Sequence, residues 1–170
     1  MDADEQLKPR PPLGGLAIAL YCAVRSEHLL AAWRHSPFDH LGWVALLIWL
    51  TPLVIAWRSA PRELRLGRVN FGLLGLSLLL SLLGTMASMN AIKYLGLAVA
   101  VVSLIRWRGA HLVWFIGAAS WMPAFGYFAA KLVGPGGSAP WVVLLLRVIW
   151  GGTSVYCLWK LSPNWKTHRG

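Results

Sequence analysis

Six apolar runs, joined by short polar connections, govern what this chain can become. They lie at about residues 13–24, 41–57, 71–89, 91–105, 111–133 and 141–161. A helix rises 1.5 Å per residue, so roughly 20 apolar residues match the ~30 Å hydrocarbon core of a bilayer. Runs of that kind, with charges held to their ends, predict an all-α fold: a polytopic integral membrane bundle of about six transmembrane helices. Composition agrees, because only 13% of the 170 residues are charged, against about a quarter in ordinary soluble domains. One transmembrane domain covering residues 1–170 is expected.

The basic residues orient the bundle. Arg58, Arg62, Arg65 and Arg68 follow the second run, Arg106 and Arg108 the fourth, and Lys160, Lys166 and Arg169 the sixth. The connections after the third and fifth carry little or no charge. That alternation predicts both ends in the cytoplasm and a multi-pass protein of the cytoplasmic (inner) membrane. Asp2, Asp4 and Glu5 precede the first run, but Lys8 and Arg10 stand closer to the membrane, and acids contribute little to orientation. Confinement to loops also sets aside nucleic acid as the reason for the net charge of +10. Trp43, Trp57, Trp107, Trp141, Trp159 and Trp165 fall near run ends, where interfacial anchors belong.

The first run is the shortest. Twelve uninterrupted apolar residues rise only about 18 Å, so the span either extends through the region from Arg25 to Trp33 or relies on charged residues that snorkel. It lacks a small-x-small cleavage site, and Tyr21 before Cys22 argues against lipoprotein processing, so an uncleaved helix is expected. Cys22 and Cys157 each sit in an apolar run and form no CxxC motif or disulfide framework.

Candidate chemistry concentrates in the segment 25–40, predicted to face outward, where Glu27, His28, His35, Asp39 and His40 could ligate a metal or carry protons. No HxxxH or HExxH spacing is present and Pro37 interrupts the last pair, so no metal site is expected. An amphipathic surface connection meeting water and headgroups accounts for the same residues. Arg147, about two turns into the sixth run, requires a partner or a water path, since a charge near a helix centre costs about 3 kcal/mol on insertion scales. Beyond residue 5 the only acids are Glu27, Asp39 and Glu63, and Glu63 belongs to the predicted cytoplasmic side. Arg147 is therefore expected to reach Asp39, Glu27 or an anionic lipid or substrate group, or else to snorkel to the outer interface. Arg147, Asp39, His40, His35, Glu27 and His28 form the candidate ligand-binding set.

Two weaker patterns complete the reading. Met86 and Met89 beside Asn90 could hold reduced copper, with Cys22 joining if the first and third spans pack together, although methionine commonly just fills gaps. Ser77, Ser81, Gly84 and Ser88 place small residues on one face of the third span, for close packing within the bundle or against another membrane protein. GxSxG, P-loop and DxD templates are missing, and Ser36, Asp39 and His40 are close in sequence without triad geometry. No catalytic residue and no cofactor are expected.

The stretch Trp33 to Arg65 resembles the opening of the exosortase/archaeosortase family of membrane proteins. A polar segment ending in Phe38-Asp39-His40-Leu41-Gly42 precedes an apolar span that closes in Trp57-Arg58-Ser59-Ala60-Pro61-Arg62. The likeness continues through the hairpin of spans three and four, the Arg106-Trp107-Arg108 turn and Met122-Pro123, covering roughly Leu13 to Pro123. Members of that family are proposed to act as membrane cysteine transpeptidases on C-terminal sorting signals, using a Cys, an Arg and a His in later helices. Here Cys157 lacks the family's small-residue surroundings, Arg147 precedes it, and the only later histidine, His168, belongs to the tail. The resemblance thus implies a shortened or diverged non-catalytic member, or a companion subunit. Two other classes remain open: a thiol transpeptidase or protease using Cys157 or Cys22, and a small-ligand or ion carrier with an outer polar site.

Overall fold

A computed structural model of the chain describes residues 13–36, 39–59, 70–104, 111–134 and 139–161. These are helices joined by short turns, with no strand among them. The order is α1 (Leu13–Arg25), α2 (His28–His35), α3 (Gly42–Ser59), α4 (Phe71–Met86), α5 (Asn90–Ser103), α6 (His111–Gly117), a 3-10 turn (Ala118–Trp121), α7 (Phe125–Val133) and α8 (Pro140–Leu161). The basic loops expected after the second, fourth and sixth runs lie mostly outside the described residues.

Helix lengths qualify the expectation of six spans. Among the described residues only α8, with 22 residues, is both long and apolar enough to cross a membrane by itself; counting each of two bent helix pairs as one span raises the number to three. The shorter apolar helices α3, α4 and α5 complete the set. The first run is an elbow: α1 and α2 meet at 46°, and the Ser26 N–H and hydroxyl both bond the Cys22 carbonyl, closing α1.

The fifth run corrects the expectation of one helix kinked at Pro123. It is broken, and its halves lie 82° apart. Proline disfavours the helical conformation in the residue before it, and Met122 is extended (φ −67°, ψ 142°). Ala124 then turns left-handed (φ 76°), a conformation that costs a non-glycine residue about 1–2 kcal/mol. The third run also ends early, at Met86, followed by a turn through Ser88 (φ 56°).

Packing is built on small residues. A side chain at Gly96 of α5 would press on the Ser77 carbonyl and the Ser81 amide of α4, and one at Gly84 on the Lys93 backbone, so these helices touch main chain to main chain. Asn70 caps α4 by accepting from Gly72 and Leu73, and its own N–H donates to Ser103 O, tying the open end of the hairpin. The small-residue stripe is thus filled from within: Ser77, Ser81 and Gly84 are buried against α5, and only Ser88 is exposed. Meanwhile Leu76, Leu79, Leu82 and Leu83 of α4 are exposed. Leucines outward and serines inward is the reverse of a soluble amphipathic helix.

Candidate functional site

The break between α6 and α7 creates the chemical problem that the site answers. Where an α-helix tightens into a 3-10 turn and stops, its last carbonyls lose their helical donors and need others. Four side chains from three other helices supply them. Trp49 of α3 donates its indole N–H to Trp114 O (2.7 Å), and Trp114 donates back to Trp49 O (2.9 Å). Trp150 of α8 donates to Ile116 O, and Trp33 of α2 to Trp121 O (3.0 Å). Arg147 of α8 donates through Nη1 to Ser120 O and, at 3.5 Å, to Met122 O.

Arg147 is fully buried, and its other terminal nitrogen donates to Asp39 Oδ1 at 2.7 Å. The guanidinium also lies 5.4 Å from the centre of the Phe125 ring. Snorkelling to an interface does not describe this side chain; of the partners expected from sequence, Asp39 is the one it meets. Asp39 is itself buried, in the turn that leads into α3. There Leu41 adopts φ 66°, and a side chain at Gly42 would overlap the Trp33 indole. Glycine therefore lets the turn close over Trp33, and that closure delivers Asp39 to Arg147.

A ring cluster surrounds the pair. Trp49 stacks obliquely on Trp114 (5.1 Å) and on Trp121 (5.5 Å); such pairs contribute about 0.5–1.5 kcal/mol beyond their burial. Close approach of α8 depends on glycines again, for a side chain at Gly117 would collide with Ser154 and one at Gly151 would crowd Ser120.

The remaining candidates do not gather here. Glu27 and His28 are exposed and meet each other at 3.8 Å. His35 is exposed with Nδ1 2.9 Å from Ala31 O, a contact that puts the proton on Nδ1. His40 is exposed beside Asp39. Among the described residues no three His, Cys, Asp or Glu side chains approach as a metal would need. Cys22 is buried with its thiol 3.9 Å from Ser77 O, so α1 does pack on α4, yet Met86 and Met89 point outward. Cys157 is half-buried on α8.

Sequence reasoning missed the tryptophans. Trp43, Trp141 and Trp159 are exposed, as anchors should be, and the rings of Trp57, Trp107 and Trp165 lie outside the described residues. Trp33, Trp49, Trp114 and Trp121 are structural donors or core rings instead. A usable signal existed: Trp49 sits well inside its run, and an indole N–H far from water must find an acceptor. No protein-family model, curated protein or solved structure matches the chain.

Proposed function

We propose that this chain is a multi-pass protein of a bacterial-type cytoplasmic membrane, crossing it six times with both ends inside, and that it serves as a non-catalytic, exosortase-like accessory component. The inverted pattern of α4 supports the membrane part, because leucines facing outward are stable only where the surroundings are themselves apolar. The elbows at α1/α2 and α6/α7 divide their runs into a crossing and a short helix on the outer side. The 14 residues of α5 rise about 21 Å, a crossing that local bilayer thinning accommodates at modest cost.

One observation carries the non-catalytic part. The buried ionic centre faces its own chain: Asp39 and the carbonyls of Ser120 and Met122 take up Arg147. A guanidinium so engaged braces a broken helix and joins it to the α2–α3 turn. A carrier would need Arg147 to exchange Asp39 for a ligand, and a transpeptidase would need a reactive thiol, whereas Cys22 lies buried against a carbonyl.

Two measurements test this. With Cys22 and Cys157 replaced by alanine, a reporter at Ser88→Cys should react with an impermeant maleimide on intact cells, and a reporter in the loop 60–69 only after permeabilisation. The opposite pattern would overturn the topology. The same cysteine-free variant should restore whatever phenotype deletion of the gene produces. Failure to restore it, with normal membrane levels, would shift the assignment to thiol chemistry.

A further inference from the structure

Each elbow carries a tyrosine with a basic residue four positions on. In the last turn of α1, Arg25 donates from Nε to the Tyr21 hydroxyl (3.3 Å), and its guanidinium lies 5.5 Å from the centre of that ring. In α7 the Lys131 ammonium lies 4.8 Å from the centre of the Tyr127 ring. Both are i, i+4 pairs on helical faces, and both basic groups are exposed. A cation held against a tyrosine ring keeps its outward N–H groups available.

The two pairs belong to one end of the bundle. Trp33 of α2 bonds Trp121, three residues before α7, and Asp39 bonds Arg147 under Phe125 at the start of α7. Exposed Arg34 is next to Trp33, and Lys93 is next to Tyr94, which shares the core with Leu29 and Trp33. Among the described residues the only acids are Glu27 and Asp39, and Asp39 is neutralised by Arg147. Arg25, Arg34, Lys93 and Lys131 therefore face a single exposed carboxylate at this end. The expected orientation puts this end outside, so the positive-inside bias does not explain its charge.

We infer that Tyr21/Arg25 and Tyr127/Lys131 are headgroup sites for anionic phospholipids, each presenting its ring-held cation to a lipid phosphate. This rests on the membrane reading above. Exposed apolar neighbours fit the acyl chains below such a headgroup: Leu20 and Val24 at the first elbow, Phe128 and Leu132 at the second. Zwitterionic lipids, with no net charge, would be held less well, because their own ammonium opposes the site.

The test uses the full chain purified in mild detergent and native mass spectrometry with phosphatidylglycerol and phosphatidylcholine of identical acyl chains. Wild type should retain phosphatidylglycerol preferentially. Arg25→Gln with Lys131→Gln should lower that preference about fivefold at each site, the factor that one basic residue near a charged surface contributes, while Lys160→Gln at the far end of α8 leaves it intact. Equal loss in Lys160→Gln, or an unchanged ratio in the double variant, overturns the assignment. Raising salt on the wild type checks it without any substitution, since a preference insensitive to ionic strength contradicts phosphate pairing. Failure of the underlying reading looks different: alkaline carbonate would strip the chain from phosphatidylcholine vesicles, whereas a chain that stays in them without lipid preference refutes only the headgroup sites.

Discussion

Replacing Arg147 by methionine keeps an unbranched apolar stem and removes the guanidinium with its charge, and the structure says what each lost contact should cost. Asp39 would lose a 2.7 Å ion pair, and Ser120 O and Met122 O would lose their common donor. Breaking one side of a buried pair costs about 3–5 kcal/mol. An orphaned buried carbonyl costs about 1–3 kcal/mol, but these losses share one cause and do not simply add. The expectation is about 3–5 kcal/mol for Arg147→Met, a large part of the 5–15 kcal/mol typical of a folded domain.

Asp39→Leu should be worse. Asp39 keeps 9% of its side chain exposed and can relax toward water, whereas Arg147 has none exposed. The double variant removes both charges, and apolar replacement of a buried pair is often near neutral. It should therefore be more stable than either single variant. Unfolding in sodium dodecyl sulfate, followed by far-ultraviolet circular dichroism, measures all three. If the two single losses add in the double variant, or if Arg147→Met costs under about 1 kcal/mol, the brace is not what holds this end of the bundle.

Other substitutions test other parts of the same arrangement. Trp33→Phe keeps a ring under the Asp39 turn but withdraws the donor to Trp121 O, and should cost about 1–3 kcal/mol in the same unfolding assay. Gly117→Ala forces a methyl group into Ser154, so a loss of about 1–3 kcal/mol from overpacking is expected, with Ser154→Gly restoring most of it. Cys22 is fully buried and Cys157 only half-buried. A maleimide should therefore label Cys157 well before Cys22 in the folded protein and both at similar rates after unfolding, as read by mass spectrometry.

The parts legible in the sequence are those governed by one residue at a time. A lone arginine in an apolar run demands a partner, and with only three acids in the sequence beyond residue 5, Asp39 could be named among the few possible. Pro123 announced an interruption. What it could not announce was the 82° turn, because that depends on Ala124 adopting φ 76°, and alanine gives no sign of a left-handed residue. The small-residue stripe was ambiguous for a similar reason. Serine and glycine suit a close partner whether it is α5 or another chain, and buried hydroxyls such as that of Ser77 bond back to their own helix, so they specify no partner at all.

The tryptophans and Arg147 are better understood together than apart. A helix that ends inside an apolar environment leaves carbonyls that neither water nor lipid can satisfy. The chain answers with donors that have no competing acceptor role: indole N–H groups from α2, α3 and α8, and one guanidinium. Only the guanidinium brings a charge, and that charge is what recruits Asp39 from the turn before α3. The ion pair is thus a consequence of the broken helix, and the two cannot be selected separately. A site evolved to exchange ligands would leave one of these partners replaceable from outside. Here withdrawing Asp39 takes the carboxylate from a buried cation, and withdrawing Arg147 takes a donor from both Ser120 O and Met122 O. That mutual dependence is why the accessory reading fits this geometry better than a carrier, and why Arg147 and Asp39 should be probed as one unit.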